Sequence, residues 1–521
     1  MGILGIDLGT THCKAGFFAE NGTPIAVASL PAPQSCSENG ELDPEGIWER
    51  ACEAVRHVLR GEAYPPVQAI GVASVAEAGL LVDHAGRPRT PILPWFDARA
   101  LQQMERIGAA EQPLERFRRS GLPLSLKYGL AKILWLRERD PSILRGAVWL
   151  SVADYVVFRL TRELRTDPSL AVRTYAYRLR EGVWDEPWLA AFGLDAGLFP
   201  PVGPAGTPAG GLGREAADEL GLPPGIPVAV SGHDHVCAAF AAGLDDPGQI
   251  LDSMGTAESL LGTLDIEEPG ARELDSGLAV VPHVVPNRRC WLGGVRAAGG
   301  SIEWLRRVLG EAEVGYGALE RLAAAAGPGP TGILYYPYLA GSGSPRSDER
   351  LRGAFIGLGA EHGRGHLVRA VLEGTAYEAE WIRRNAVALT GQTTKMIVAT
   401  GGGARNREWL QIKADVSGCV VRSPVVSEYT LLGAALAAAR GAGVLDDASV
   451  KALTVDLRAA GDAFASDRSR HERYREIFEA EYLPFQTTLR GRERVGRSVG
   501  RPRGDTQLAG RSAACGEASG R

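Results

Sequence analysis

Four short stretches of this chain combine acids, hydroxyls and glycines at spacings that suit phosphate chemistry. The first is Gly5-Ile6-Asp7-Leu8-Gly9-Thr10-Thr11, followed by Lys14. An Asp at a strand end, beside a turn offering Gly and Thr donors, suits a nucleotide's terminal phosphates and their magnesium, and Lys14 adds positive charge. Alone, D-x-G-T is equally the mark of an ordinary hairpin turn, and the chain has no Walker A pattern. The second is Asp252-Ser253-Met254-Gly255-Thr256, where a hydroxyl and a glycine again follow a strand and can cup a phosphate. The third is Thr400-Gly401-Gly402-Gly403-Ala404-Arg405-Asn406, whose glycines let a flat or anionic ligand approach the backbone. The fourth is His233-Asp234-His235. Asp234 lies just past an apolar run and opens a small-residue segment, so it can project into a cleft and accept a hydroxyl proton. Its plainer reading is a helix N-cap. The H-x-H pair would suit a metal, but no third ligand lies nearby. In a continued strand both imidazoles would face away from Asp234. We read them as neighbours that shape the pocket or hold the Asp.

Regular elements must carry these stretches. Gly2 to Leu8 and Cys13 to Ala19 read as paired strands around a tight turn. Asp43 caps a helix expected from Pro44 to Leu59, with Ile47, Ala51, Ala54, Val55 and Val58 at helical spacing. A strand over Ala69 to Ala73 follows, and this alternation predicts an α/β architecture. Further strands are expected at Ile226 to Ser231, Ile250 to Met254 and Met396 to Ala399. Helices are expected at Leu130 to Arg137, Leu150 to Leu160, Val236 to Ala242, Ser301 to Leu309, Leu367 to Asn385 and Arg407 to Val416. Two α/β halves joined near residue 245 fit this order best.

Composition narrows the partners. The 521 residues are 45% hydrophobic and 23% charged, which is globular, and the formal charge of -5 argues against a surface built for nucleic acid or anionic membrane. The seven scattered cysteines contain no C-x-x-C pair and read as reduced thiols. The N-terminus lacks a basic, signal-like region, and no apolar run is long enough to span a bilayer, so a cytoplasmic protein is expected. From Leu489 onward Arg, Gly and Ser dominate, and the segment 486–521 is read as a disordered basic tail.

Taken together, the stretches resemble the FGGY carbohydrate kinases, from residue 2 to about Phe485. Gly5 to Lys14 is similar to the family's first phosphate motif, Gly255-Thr256 to its second, and Gly401 to Asn406, leading into Trp409 and Ala414-Asp415, to its adenosine motif. Trp95-Phe96-Asp97-Ala98-Arg99 is similar to the W-N-D-x-R segment of xylulokinase-like members. Asp167 with Ser169, Pro337-Tyr338-Leu339 and Arg369 to Gly374 match further family segments. The chain departs from the family at Ser342-Gly343, where a Glu-Arg pair is usual.

The resemblance implies two ribonuclease-H-like domains of the actin-like ATPase fold, 1–245 and 246–485, with nucleotide in the cleft between them. It implies ATP-dependent phosphorylation of a hydroxyl on a small sugar or polyol, with Asp234 as catalytic base. Magnesium would be held through water by Asp7, and phosphate bound by Gly9, Thr10, Thr11, Lys14, Gly255 and Thr256. Gly401, Gly402, Gly403 and Asn406 would hold the adenosine. Glu77, by its spacing to Leu81-Val82-Asp83, would contact the acceptor together with Trp95, Asp97 and Asp234. Because Glu77 and Asp97 would repel a carboxylate, a neutral ketose or alditol is expected as acceptor. A homodimer is compatible with the sequence. The alternative class is an actin-like ATP-binding switch or chaperone-type ATPase, which needs no polar acceptor pocket.

Overall fold

A chain that threads apolar runs between glycine turns can bury strands on both faces, and the first strand does so. β1 (Gly2–Leu8) is almost wholly buried, as a central strand of a mixed sheet should be. β2 (His12–Ala19) and β3 (Pro24–Pro31) extend the sheet antiparallel on one side, and β3 alternates towards solvent as an edge strand. The next helix, α1 (Pro44–Val58), starts where its cap lies: the Asp43 carboxylate accepts from the Glu45 and Gly46 N–H groups, and Ile47, Ala51, Val55 and Val58 face inward. β4 (Val67–Ser74) then pairs parallel to β1. β5 (Pro208–Gly211) and β6 (Pro227–His233) complete the order β3-β2-β1-β4-β6-β5.

The structure is a computed structural model, and it describes residues 2–492 apart from 61–63, 245, 311–314 and 427. The second half repeats the first. β7 (Gln249–Met254) pairs antiparallel with β8 (Glu258–Leu264), and β8 with β10 (Arg289–Val295), beside β9 (Ala279–Pro282). β11 (Met396–Thr400) lies parallel to β7, β12 (Val420–Ser423) lies parallel to β11, and β13 (Asp462–Phe464) closes the edge. The order β10-β8-β7-β11-β12 therefore matches β3-β2-β1-β4-β6 strand for strand. This duplicated sheet is the two-domain, actin-like α/β fold expected from the sequence.

The helices do not respect the sequence division. α2 (Asp234–Ala241) leaves the end of β6 and packs against β7 and β8 of the second sheet. In return α6 (Tyr429–Gly441), far along the second half, lies across β1, β4 and β6 of the first. The approach is close enough to require glycine: a Cβ on Gly5 would sit 2.1 Å from the Leu431 carbonyl oxygen, and one on Gly71 1.9 Å from that of Ala434. Ser231 Oγ donates to the same Ala434 carbonyl at 2.8 Å. The expected junction at residue 245 lies outside the described residues.

One expectation is corrected at the C-terminal end. Residues 486–492 were expected to be disordered, but α7 (Leu483–Arg492) runs through them. Gln486 is buried and donates to the Tyr338 hydroxyl at 2.9 Å, and Arg490 donates to the Arg346 carbonyl at 2.6 Å. The polar side chains that argued for disorder find fixed acceptors in a distant loop. The remainder of the tail, 493–521, lies outside the described residues.

Candidate active site

The site is assembled from strand ends. β1 delivers Asp7, and the turn after it is closed by the Gly9 N–H donating to the His12 carbonyl at 3.0 Å, leaving Thr10 half-buried and Thr11 exposed. Two strands away in the same sheet, β6 ends in a bend at Gly232, whose φ of +120° favours glycine; a Cβ there would meet Ser169 Oγ at 2.6 Å. Ser169 Oγ accepts the His233 N–H at 2.8 Å and is itself bonded to Asp167. That anchored bend starts α2 at Asp234, near enough to Asp7 for the charge of the one to act on the other.

Asp234 sits between two imidazoles. His233 Nε2 lies 3.1 Å and His235 Nδ1 3.8 Å from Oδ1, and the His235 N–H donates to the same oxygen at 2.6 Å. Burial pushes the Asp234 carboxyl up, but His235, then His233 and these hydrogen bonds outweigh it and hold it at about 2. The strand stops at His233, so the side chains converge on Asp234 instead of alternating across a sheet as a continued strand would require. The three donor atoms lie within 4.8 Å of one another, as a metal site would require. His235 is already committed across the cleft, its Nε2 3.1 Å from Ser259 Oγ on β8.

Asp7 is the opposite case. Its Oδ1 is buried without a hydrogen-bond partner. Burial first, then the charge of Asp234, push its carboxyl up to about 8; Lys14 opposes this and Glu428 adds to it. An orphaned carboxylate oxygen facing a second carboxylate is a hard-oxygen donor set, which fits magnesium. Lys14 is less free than expected, since its ammonium donates to Glu428 at 2.8 Å.

The second half supplies two turns. Gly255 and Thr256 are exposed at the tip between β7 and β8, braced by the Gly299 and Gly300 N–H groups, which donate to their carbonyls. Gly401, at φ +85°, packs its Cα against the backbone of Met254, so the two glycine turns are adjacent. Asn406 caps α5 (Arg407–Ser417) through its Oδ1, which accepts from the Trp409 N–H at 2.9 Å.

The residues expected to contact the acceptor divide. Glu77 is buried and accepts from Lys127 at 2.9 Å and from Arg173 Nη1 at 3.0 Å. Burial alone would raise its carboxyl, but Lys127, Arg173 and His233 hold it well below the usual range. Asp97 is drawn away into its own turn: Arg99 donates to both of its oxygens and also reaches Glu41 at 2.6 Å. Trp95 stands edge-on to the exposed Phe96. The repulsion expected between these two carboxylates and an acidic acceptor is therefore corrected, because both are neutralised by cations. Sequence reasoning missed Lys127, Arg173 and Glu428; the signal was a charged residue set inside an otherwise apolar run, as Arg173 is between Val172 and the Tyr175 to Tyr177 segment. The departure at Gly343 also has a cause: a Cβ there would lie 1.9 Å from the Gly294 carbonyl oxygen.

Among the described residues no helix is long and apolar enough to cross a membrane, and the cysteines described are free. Residues 2–241 match the N-terminal domain, and residues 253–442 the C-terminal domain, of the FGGY family of carbohydrate kinases. The chain is 34% identical over 468 residues to glycerol kinase of Thermus brockianus, covering 87% of this chain and 92% of the relative. It is 27% identical over 446 residues to xylulose kinase of Staphylococcus xylosus, covering 84% and 90%. Its fold superposes on xylulose kinase from Rhodospirillum rubrum with a TM-score of 0.82 at 27% identity, over 94% of this chain and 100% of that one. With both family domains matched in order along a chain whose sheet is duplicated, the chain belongs to the FGGY family of carbohydrate kinases and is a sugar kinase.

Proposed function

We propose that this kinase transfers the γ-phosphoryl group of ATP to a hydroxyl of a small neutral ketose or alditol, with Asp234 as the proton acceptor. The observation that carries the reading is the Asp234 carboxylate at the start of α2, with an imidazole on either side, His233 Nε2 at 3.1 Å and His235 Nδ1 at 3.8 Å. An acid held at about 2 is a weak base towards a resting alcohol. It orients the hydroxyl and takes its proton late, once the forming bond to phosphorus has acidified the oxygen. Asp7, with its unpaired oxygen, would hold magnesium through water, and the ion when bound would supply charge neutralisation for the phosphates. Thr10, Thr11, Lys14 and Thr256 donate to phosphate oxygens, and the Gly401 to Gly403 turn, with Asn406, supports the adenosine.

Acceptor neutrality rests on a charge balance. Lys127 and Arg173 both pair with Glu77, and with the Asp234 carboxylate the two cations and two anions sum to zero. A neutral, hydroxyl-rich molecule leaves that balance undisturbed, and a carboxylate would not. The test is a coupled ADP-release screen with magnesium and ATP across alditols, ketoses, aldoses and aldonates. Release with a ketose or alditol is expected. Release with aldonates alone would end the neutral reading, and release with no acceptor at all would favour an ATP-driven switch.

A further inference from the structure

Beneath the Gly255-Thr256 turn lies a charged cluster that phosphoryl transfer leaves unused. Asp252 on β7, Glu258 on β8 and Lys413 on α5 are 2%, 0% and 4% exposed. Lys413 Nζ donates to Asp252 Oδ2 at 2.7 Å and to Glu258 Oε1 at 2.6 Å. The other two oxygens, Asp252 Oδ1 and Glu258 Oε2, are buried and have no partner. One cation against two carboxylates leaves an uncompensated negative charge in the interior, which is strongly unfavourable. A single proton shared by the acid pair removes the excess charge and gives the orphaned oxygens a bond.

The cluster's position gives it a task. Asp252 and Glu258 are diagonal neighbours on one face of the hairpin whose tip is Gly255-Thr256, since Met254 pairs with Glu258 and Asp252 with Leu260. Lys413 belongs to the helix that begins just after Gly401 to Gly403. Gly401 and Gly403 also rest on Met254, where a Cβ on either would come within 2.8 Å of its atoms. One ammonium thus fastens the phosphate turn to the adenosine helix.

We infer that Asp252, Glu258 and Lys413, holding one proton between them, are positioning residues that set the Gly255-Thr256 turn against the Gly401 to Gly403 turn, so that loss of the proton loosens nucleotide binding. The inference rests on the ATP reading given above. Burial and the charge of Asp252, opposed by Lys413, push the Glu258 carboxyl up to about 8, so the loss falls in an accessible range. Lys413 stays charged, because the two acids outweigh its burial. The charged groups facing Glu258 are Asp252 from β7 and Lys413 from α5. On the other packed elements β10 pairs Glu258 with Val295, α2 contributes His235 to the neighbouring Ser259, and α4 (Arg364–Thr390) meets this sheet with Ile382 at Gly293.

The experiment measures magnesium-ATP binding by calorimetry, without acceptor, from pH 7 to 9.5 on the full chain and on Glu258→Gln. The amide mimics the protonated acid, donating to Asp252 and accepting from Lys413. Asp7 titrates over the same range in both proteins, so the readout is the ratio of dissociation constants, wild type over Glu258→Gln, which should rise roughly fivefold from pH 7 to 9.5. In turnover assays the difference should appear in KM for ATP and not in kcat. Superimposable curves with intact ATP binding would overturn this inference alone. A wild-type chain that binds no ATP at any pH would overturn the kinase reading and this inference with it.

Discussion

Asp234 and Glu77 are both buried acids, yet their partners assign them different work. Asp234 meets two imidazoles and stands near Asp7, so Asp234→Asn should leave ATP binding nearly intact and lower turnover by roughly 10²–10⁴. Turnover within a few-fold of wild type would remove it from the mechanism. Glu77 is the counter-ion of Lys127 and Arg173, and Glu77→Ala leaves two cations facing each other. That change should raise KM for the acceptor by about tenfold or more with KM for ATP nearly constant, and should lower stability by about 3–5 kcal/mol, read as a fall in Tm. Equal shifts in both KM values would separate Glu77 from the acceptor pocket. The glycine and hydroxyl turns that we assign to phosphate and adenosine were legible in the sequence because such turns announce themselves locally. The partners of Lys127, Arg173 and Glu428 were not: a charge set in an apolar run marks a buried ion pair, but pairing between residues so far apart in the chain leaves no local spacing that names the partner.

At the scale of elements, α4 carries a buried acid with a measurable consequence. Glu378 accepts from the hydroxyls of Tyr338 at 2.8 Å and Tyr482 at 2.9 Å, and burial pushes its carboxyl from 4.5 up to about 7. An acid whose folded value lies above its unfolded one keeps a proton in the native state between the two. Stability therefore falls as pH rises from about 4.5 to about 7 and levels off beyond. Glu378→Gln retains the accepting oxygen and removes the ionisation. Its Tm should be flatter than wild type across that window and higher at pH 8, by on the order of 2–3 kcal/mol of stability. Parallel Tm profiles would show that Glu378 is already ionised at pH 5. Elements with a strong period were readable: α1, β4, β11 and α5 lie within a few residues of expectation. β5 was not, because Pro208-Ala209-Gly210-Gly211 has no alternation and is a strand only through its backbone bonds to β6. β6 itself outran its apolar run, since its pairing with β4 continues to His233 opposite Ser74.

For the whole molecule, the exchange of helices matters more than the duplicated sheets. Because α6 covers β1, β4 and β6, a fragment of residues 1–245 would expose the faces of Gly5 and Gly71 with nothing packed on them. Expressed alone it should be insoluble or melt without cooperativity, and co-expression with 246–521 should restore a soluble, cooperative complex. A fragment that folds and melts like a native domain would show that α6 is an accessory. The same helix orders events during synthesis. As the chain leaves the ribosome, the first sheet has all its strands by residue 233, but its cover is not made until residue 441. At about 5–20 residues per second that interval is roughly 10–40 s. Throughout it the nascent half carries a bare apolar face, so its yield in the cell should depend on whatever shields that face until α6 arrives.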